Sequence, residues 1–291
     1  MFPRPRWILI VTGVALLAGL VTFAAWLVTG RVVWISWFFR WPWIVLMVGL
    51  AAIQAWLGFT VRRVFLPDEP LYGAWSLIAY SAVCDFLGAV LIQWMSSASA
   101  LNPLTHSSWW KQELAIEIHQ FGLMVGTLRY ALLAAGLWYV LRIYRKAGFL
   151  GRLAAIDWLM LVVVLGYVFN EAREVLVAMR HGKSPGLPEI LGWPVDALLC
   201  LLLVESRLLA RSIQRMGAGS IGRCWRAFTI GILLIWLGDL GIWVAQSGHF
   251  PWQWSSLGWY AWLPAAGAFA AAPAFQLEAV QQAMEQRRHA E

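Results

Sequence analysis

Residues 7–29 read WILIVTGVALLAGLVTFAAWLVT, twenty-three consecutive positions without a charge. At 1.5 Å per residue a helix of that length rises about 34 Å, enough to cross the roughly 30 Å hydrocarbon core of a bilayer. Comparable stretches recur along the chain. They predict spans from about Trp41 to Val61, Tyr72 to Met95, Leu114 to Val140, Ala154 to Met179, Ile190 to Leu209, Ala227 to Gln246 and Leu257 to Val280. The fold class read from this pattern is all-α: a polytopic membrane helix bundle of about eight transmembrane helices.

Composition supports the same reading. Of 291 residues, 61% are hydrophobic and only 13% are charged. A soluble domain carries about 25% charged residues. A soluble enzyme, a disordered chain and a disulfide scaffold are therefore excluded. Arg4 and Arg6 precede the first span as they would a signal peptide. Its apolar core is too long for one, however, and Trp26 stands where small residues would precede cleavage, so a retained helix is expected.

Fifteen lysines and arginines fall on the N-terminal side of the eight-span threading and five on the other, with Arg129 and Arg173 inside spans. By the positive-inside rule both termini are expected in the cytoplasm of a bacterial-type inner membrane. The net charge of +7 then faces anionic lipid, and no nucleic acid is required. Fourteen of the 21 tryptophans cluster at the opposite, outer ends, among them Trp34, Trp37, Trp41, Trp43, Trp259 and Trp262. Two readings fit: an interfacial aromatic belt, or a roof over an aromatic pocket.

Two basic turns resemble each other, Arg145 to Arg152 and Arg215 to Arg223, as do Leu191-Gly192-Trp193-Pro194 and Leu257-Gly258-Trp259-Tyr260. Three parallel hairpin repeats are expected after two N-terminal helices. The domain reading is a two-helix segment over 1–63, a six-helix repeat bundle over 64–280 and a cytoplasmic tail over 281–291. Gly217-x-Gly219-x-x-Gly222 imitates a dinucleotide fingerprint but lacks the preceding strand, and is read as a tight turn.

Ionisable residues inside spans are costly in lipid and mark either helix-to-helix pairing or a functional site. Asp85, Arg129 and Asp239 lie near mid-span. Glu171 and Glu174 share a helix face with Tyr167, Glu117 and His119 lie at the outer end of the fourth span, and Asp196 follows Pro194. These eight residues are the candidate ligand or ion pocket: Asp85, Glu117, His119, Arg129, Glu171, Glu174, Asp196 and Asp239. Asp85 and Arg129 form the simplest expected pair. No metal-ligand spacing, nucleophile elbow or phosphate loop occurs, and Cys84, Cys200 and Cys224 are not placed for a disulfide, so no catalytic residue, metal or cofactor is assigned.

The last span, rich in alanine and broken by Pro264 and Pro273, continues as Gln276 to Arg288 with Leu277, Val280 and Met284 at helical spacing. It reads either as a docking helix for a cytoplasmic or membrane protein partner, or as a frayed end. Paired helices with outer-half acids, short outer turns, Gly-Trp openings and a helix leaving the membrane resemble the multi-helix input domains of bacterial sensor histidine kinases and diguanylate cyclases, over roughly Tyr72 to Gln286. The resemblance implies a receptor whose exit helix drives an effector. None lies within these residues, so output through a separate partner is expected. A membrane-embedded hydrolase or transporter using the carboxylates is the alternative reading, and a structural subunit of a membrane complex is a further one.

Overall fold

In the computed structural model the described residues are 4–100, 109–182, 184, 187–214, 219–248 and 250–290; side chains over 92–100, 109–119, 187–189 and at a few single positions are outside the description. Among the described residues nine α-helices follow one another: α1 (Pro5–Thr29), α2 (Val33–Arg40), α3 (Pro42–Arg62), α4 (Pro70–Ala100), α5 (Trp109–Lys146), α6 (Ala155–Arg180), α7 (Leu187–Gln214), α8 (Ser220–Ser247) and α9 (Ser255–Ala290), the last preceded by a 3-10 turn at Trp252–Trp254. No strand occurs among the described residues.

Local chemistry explains the helix ends. Proline opens α1, α3 and α4, where its missing N–H costs nothing. Gly30 ends α1 at φ 66°, a left-handed conformation that suits glycine, and its N–H reaches the Trp26 carbonyl at 2.7 Å. The helices overrun the apolar spans; α8 begins at Ser220, seven residues before the expected span. Hydropathy reports the part of a helix that lies in hydrocarbon, whereas Arg223 and Arg226 prolong the same helix into the polar interface.

Among the described residues six helical segments are long and apolar enough to cross a membrane, one of them joining α2 and α3. The two remaining long helices, α7 and α9, have 28 and 36 residues, and α9 has the more polar composition of the two. Packing explains the difference for α9. It lies against α1, α3 and α8, and its residues from Tyr260 to Leu277 are mostly buried, so neighbouring helices rather than lipid surround it. The protein is a multi-pass helical membrane bundle.

Helices α3, α4, α5, α7, α8 and α9 pack successively, and α9 returns to α3, closing a ring. Outside it, α1 leans on α9 and α6 on α7. The ring thus takes α3 from the first 63 residues and leaves α6 on the rim. Small residues permit the close approaches, the usual means of helix association where lipid supplies no hydrophobic drive. A Cβ on Gly88 would lie 3.2 Å from the Gly126 backbone, which holds α4 against α5. On α9, Gly258 is walled by the backbone of Gly238 and by Ile242 of α8. Gly258→Val is expected to cost roughly 1–3 kcal/mol through overpacking, read as a lower unfolding midpoint in detergent.

The arginine-poor end carries an aromatic cluster. There α2 buries Ile35 and Phe38 and exposes Trp34 and Trp37. Phe38, Phe39, Trp43, Trp259 and Tyr260 form one cluster, with Phe39 and Tyr260 stacked at 5.2 Å. Some of the tryptophan rings, such as Trp34 and Trp37, are therefore exposed, and others, such as Trp43, are buried in the aromatic cluster.

Candidate functional site

The ring encloses a cavity of about 350 Å³ to which all six of its helices contribute. It lies toward the end where α3, α5, α7 and α9 begin. From α3 come Trp43 and Met47; from α4 Asp85, Gly88 and Ala89; from α5 Leu123 through Tyr130; from α7 Val195; from α8 Ile235 and Asp239; from α9 Trp262 through Phe269. Gly88 and Gly126 thus serve twice, bringing their helices together and leaving room in the lumen. Toward the other end, Phe269, Phe228, Trp225 and Trp75 follow one another at centroid spacings of 6.0, 5.8 and 6.2 Å and fill the bundle with aromatic rings.

Polar groups converge on this apolar chamber. Arg129 donates to Asp85, joining α5 to α4 as the sequence leads one to expect. Its other terminal nitrogen donates to the Tyr130 hydroxyl, and its guanidinium carbon sits 4.3 Å from that ring's centroid. Asp239 accepts a hydrogen bond at 3.1 Å from Nε1 of Trp262, an α8 to α9 contact. Asp239 also lies within electrostatic reach of Arg129 and of Glu171. Beneath the main chamber Gln54 and Ser81 border a small annex that shares Asp85, Arg129 and Tyr130.

A second group of carboxyls abuts the ring from α6 and α7. The Tyr167 hydroxyl donates to Glu171 at 3.0 Å, which matches their spacing of four on one helix face. Asp196 is buried and within hydrogen-bonding reach of Glu171. Gly192, one turn before Asp196, also faces the Glu171 carboxyl, which lies 3.8 Å from where its Cβ would stand. Two carboxyls in contact need a proton or a cation between them, because each oxygen otherwise only accepts.

Glu174 departs from the expectation of a shared pocket. It is exposed, accepts from Asn170 at 3.0 Å and borders a separate surface groove with Arg173 and His181. The reason is geometric. Helix α6 packs mainly on α7, with Tyr167 against Trp236 and Trp243 of α8, and its buried line runs through Asp157, Val164 and the half-buried Glu171, seven residues apart; Glu174 lies off that line. The expected positions Glu117 and His119 lie outside the described side chains.

Several participants were not among the expected pocket residues. Trp43 and Trp262, which the sequence marks only as outer-end tryptophans, line the cavity, as does Tyr130, which only its place beside Arg129 could have signalled. Asp157 is held at the other end of the bundle by Arg207 and Arg211. Glu205 on α7 is 2% exposed, and neither carboxyl oxygen has a hydrogen-bond partner among the described residues. A buried carboxyl without partners destabilises its fold. Glu205→Met, similar in volume and apolar, is expected to raise stability by about 1–3 kcal/mol, seen as a higher melting temperature. A lower melting temperature would mean that the carboxyl is held by a group the fold needs.

Among the described residues no group of three metal-ligating side chains occurs. Compared with known protein families, with curated proteins and with solved structures, the chain matches none.

Proposed function

We propose that the protein is an integral inner-membrane receptor of the sensor-input type, binding a small ligand in the outer half of its helix ring and passing the response to a separate partner. The observation that carries this reading is the single chamber bordered by six helices, apolar in its walls and furnished with an ion pair, a tyrosine hydroxyl and a further acid. Apolar concavities with a few convergent polar groups are the usual form of small-molecule sites. Aromatic packing below the chamber favours a closed binding site over a continuous transport path. A ligand touching all six helices would bias their relative positions, and α9 carries that bias to an exposed segment over residues 281–286.

Native mass spectrometry of the protein released from its membrane in mild detergent tests the proposal. A co-purifying small molecule, lost on Arg129→Leu while the protein stays folded, is expected. Identical spectra from both proteins, with no small-molecule adduct, would remove the receptor reading and favour a structural subunit.

The threading proposed with this function places both termini in the cytoplasm. Reporter fusions after Glu291 and in the 182–186 turn should report opposite sides of the membrane. Signals from the same side would invert or break the threading.

A further inference from the structure

The charge distribution around the chamber points to the class of ligand, an inference that rests on the receptor reading above. Three charged side chains line the cavity, namely Asp85, Arg129 and Asp239. Arg129 is already committed: one terminal nitrogen donates to Asp85 and the other to Tyr130. Asp85 is therefore balanced within the wall. Asp239 is not. Its Oδ1 accepts from Trp262, a neutral donor, and its Oδ2 takes no hydrogen bond from the described residues. Arg129 lies within electrostatic reach of Asp239 but is held by Asp85 and Tyr130, while Glu171 and Asp196 adjoin one another nearby and add negative character. Among the described residues the chamber thus presents one carboxylate edge with no hydrogen-bonded cationic partner and no uncommitted cation to receive an anion.

Its walls suit the remainder of such a ligand. Trp262 places an indole directly beside the carboxylate, and Trp43, Tyr130 and Phe269 supply three more aromatic rings around the same space. Aromatic faces attract cations through their quadrupole, and recognition of alkylated ammonium groups regularly combines such rings with an acid. A compact inorganic cation would leave most of a 350 Å³ apolar chamber unfilled. We propose that the cavity binds an organic monocation, a protonated or quaternary amine on an apolar body, with its charge at Asp239 and its body against the Trp43 and Trp262 indoles.

Equilibrium binding of radiolabelled benzyltrimethylammonium to the full-length protein in nanodiscs provides the test, with benzylsulfonate as the anion of similar size. Saturable binding is expected, displaced by unlabelled benzyltrimethylammonium and at least tenfold less effectively by benzylsulfonate. Asp239→Asn should weaken it tenfold or more with an unchanged melting temperature. If that variant fails to fold, Trp43→Ala keeps the acid and should weaken binding of the cation at least threefold. Absence of saturable binding, preference for the sulfonate, or full affinity in folded Asp239→Asn would each overturn the proposal. These failures are distinguishable from failure of the receptor reading. A co-purified neutral or anionic molecule lost on Arg129→Leu would leave a receptor with a different ligand class, whereas no adduct and no binding would remove both.

Discussion

Arg129→Leu is expected to lower stability by about 3–5 kcal/mol, the cost of leaving a buried acid without its partner. The lost guanidinium would strand Asp85 among apolar helices and remove the donor to Tyr130. Lipid offers no water to an orphaned carboxylate, so the penalty falls on the folded bundle. Asp85→Leu together with Arg129→Leu is expected to be the milder change, because the pair leaves as a neutral unit and packing of similar volume replaces it. Unfolding midpoints in mixed detergent would give the double-mutant cycle, with a coupling of at least 1 kcal/mol expected for groups in direct contact. If Arg129→Leu unfolds at the wild-type midpoint, the ion pair is not a structural element of the bundle. The consequence reaches the cavity as well, since α4 and α5 supply much of its wall.

The Asp85–Arg129 pair was legible in the sequence because two simple constraints act on it. Charges at mid-span must find partners, and consecutive helices joined by a short connection are neighbours. The Tyr167–Glu171 contact was legible for a similar reason, a spacing of four along one helix. What could not be read was the order of the helices around the ring. Hydropathy gives spans and periodicity gives faces, but neither says that α5 abuts α7 or that α9 returns to α3. The meeting of Asp239 with Trp262, and of Glu171 with Asp196, depends on that order. Glu174 failed for the same reason: its face relative to Glu171 was known, but how narrowly α6 would be covered was not. Similar basic turns suggested equivalent hairpins, yet α8 and α9 both enter the ring whereas α6 stays on its rim. Helix α2 was hidden differently. Its eight residues are too few to span a bilayer alone, and its alternation of buried Ile35 and Phe38 with exposed tryptophans is a pattern that hydropathy does not separate from the neighbouring spans.

Asp157→Asn is expected to release α6 from the bundle while leaving the ring intact. The carboxylate is 2% exposed and collects three hydrogen bonds. Oδ1 accepts from Arg207 Nε at 2.7 Å, and Oδ2 from Arg211 Nε at 2.5 Å and from the Ala154 N–H at 2.8 Å. Arg207 and Arg211 lie four apart on α7 and so converge on one acid. The contact with Ala154 also caps the first turn of α6, so a single side chain starts one helix and ties it to its main ring neighbour. Nearby, Gly151 donates its N–H to Ser212 Oγ at 2.8 Å, which seats the preceding turn on the same end of α7. Asparagine keeps the shape but offers no charge to two guanidinium groups, and its amide nitrogen would face a donor. A loss of roughly 3 kcal/mol is expected, near the lower end for a buried pair because both arginines can reach the polar interface. Trypsin added to membranes with this face exposed should cut after Arg152 at least tenfold faster in the variant, as the turn leaves α7. Arg207→Gln and Arg211→Gln should each have a smaller effect, and together less than the sum of the two, since one acid serves both. Wild-type cleavage rate and midpoint in Asp157→Asn would show that apolar contact along Val164 holds α6 without the clamp. Benzyltrimethylammonium binding is expected to survive this substitution, because no residue of α6 lines the described cavity wall.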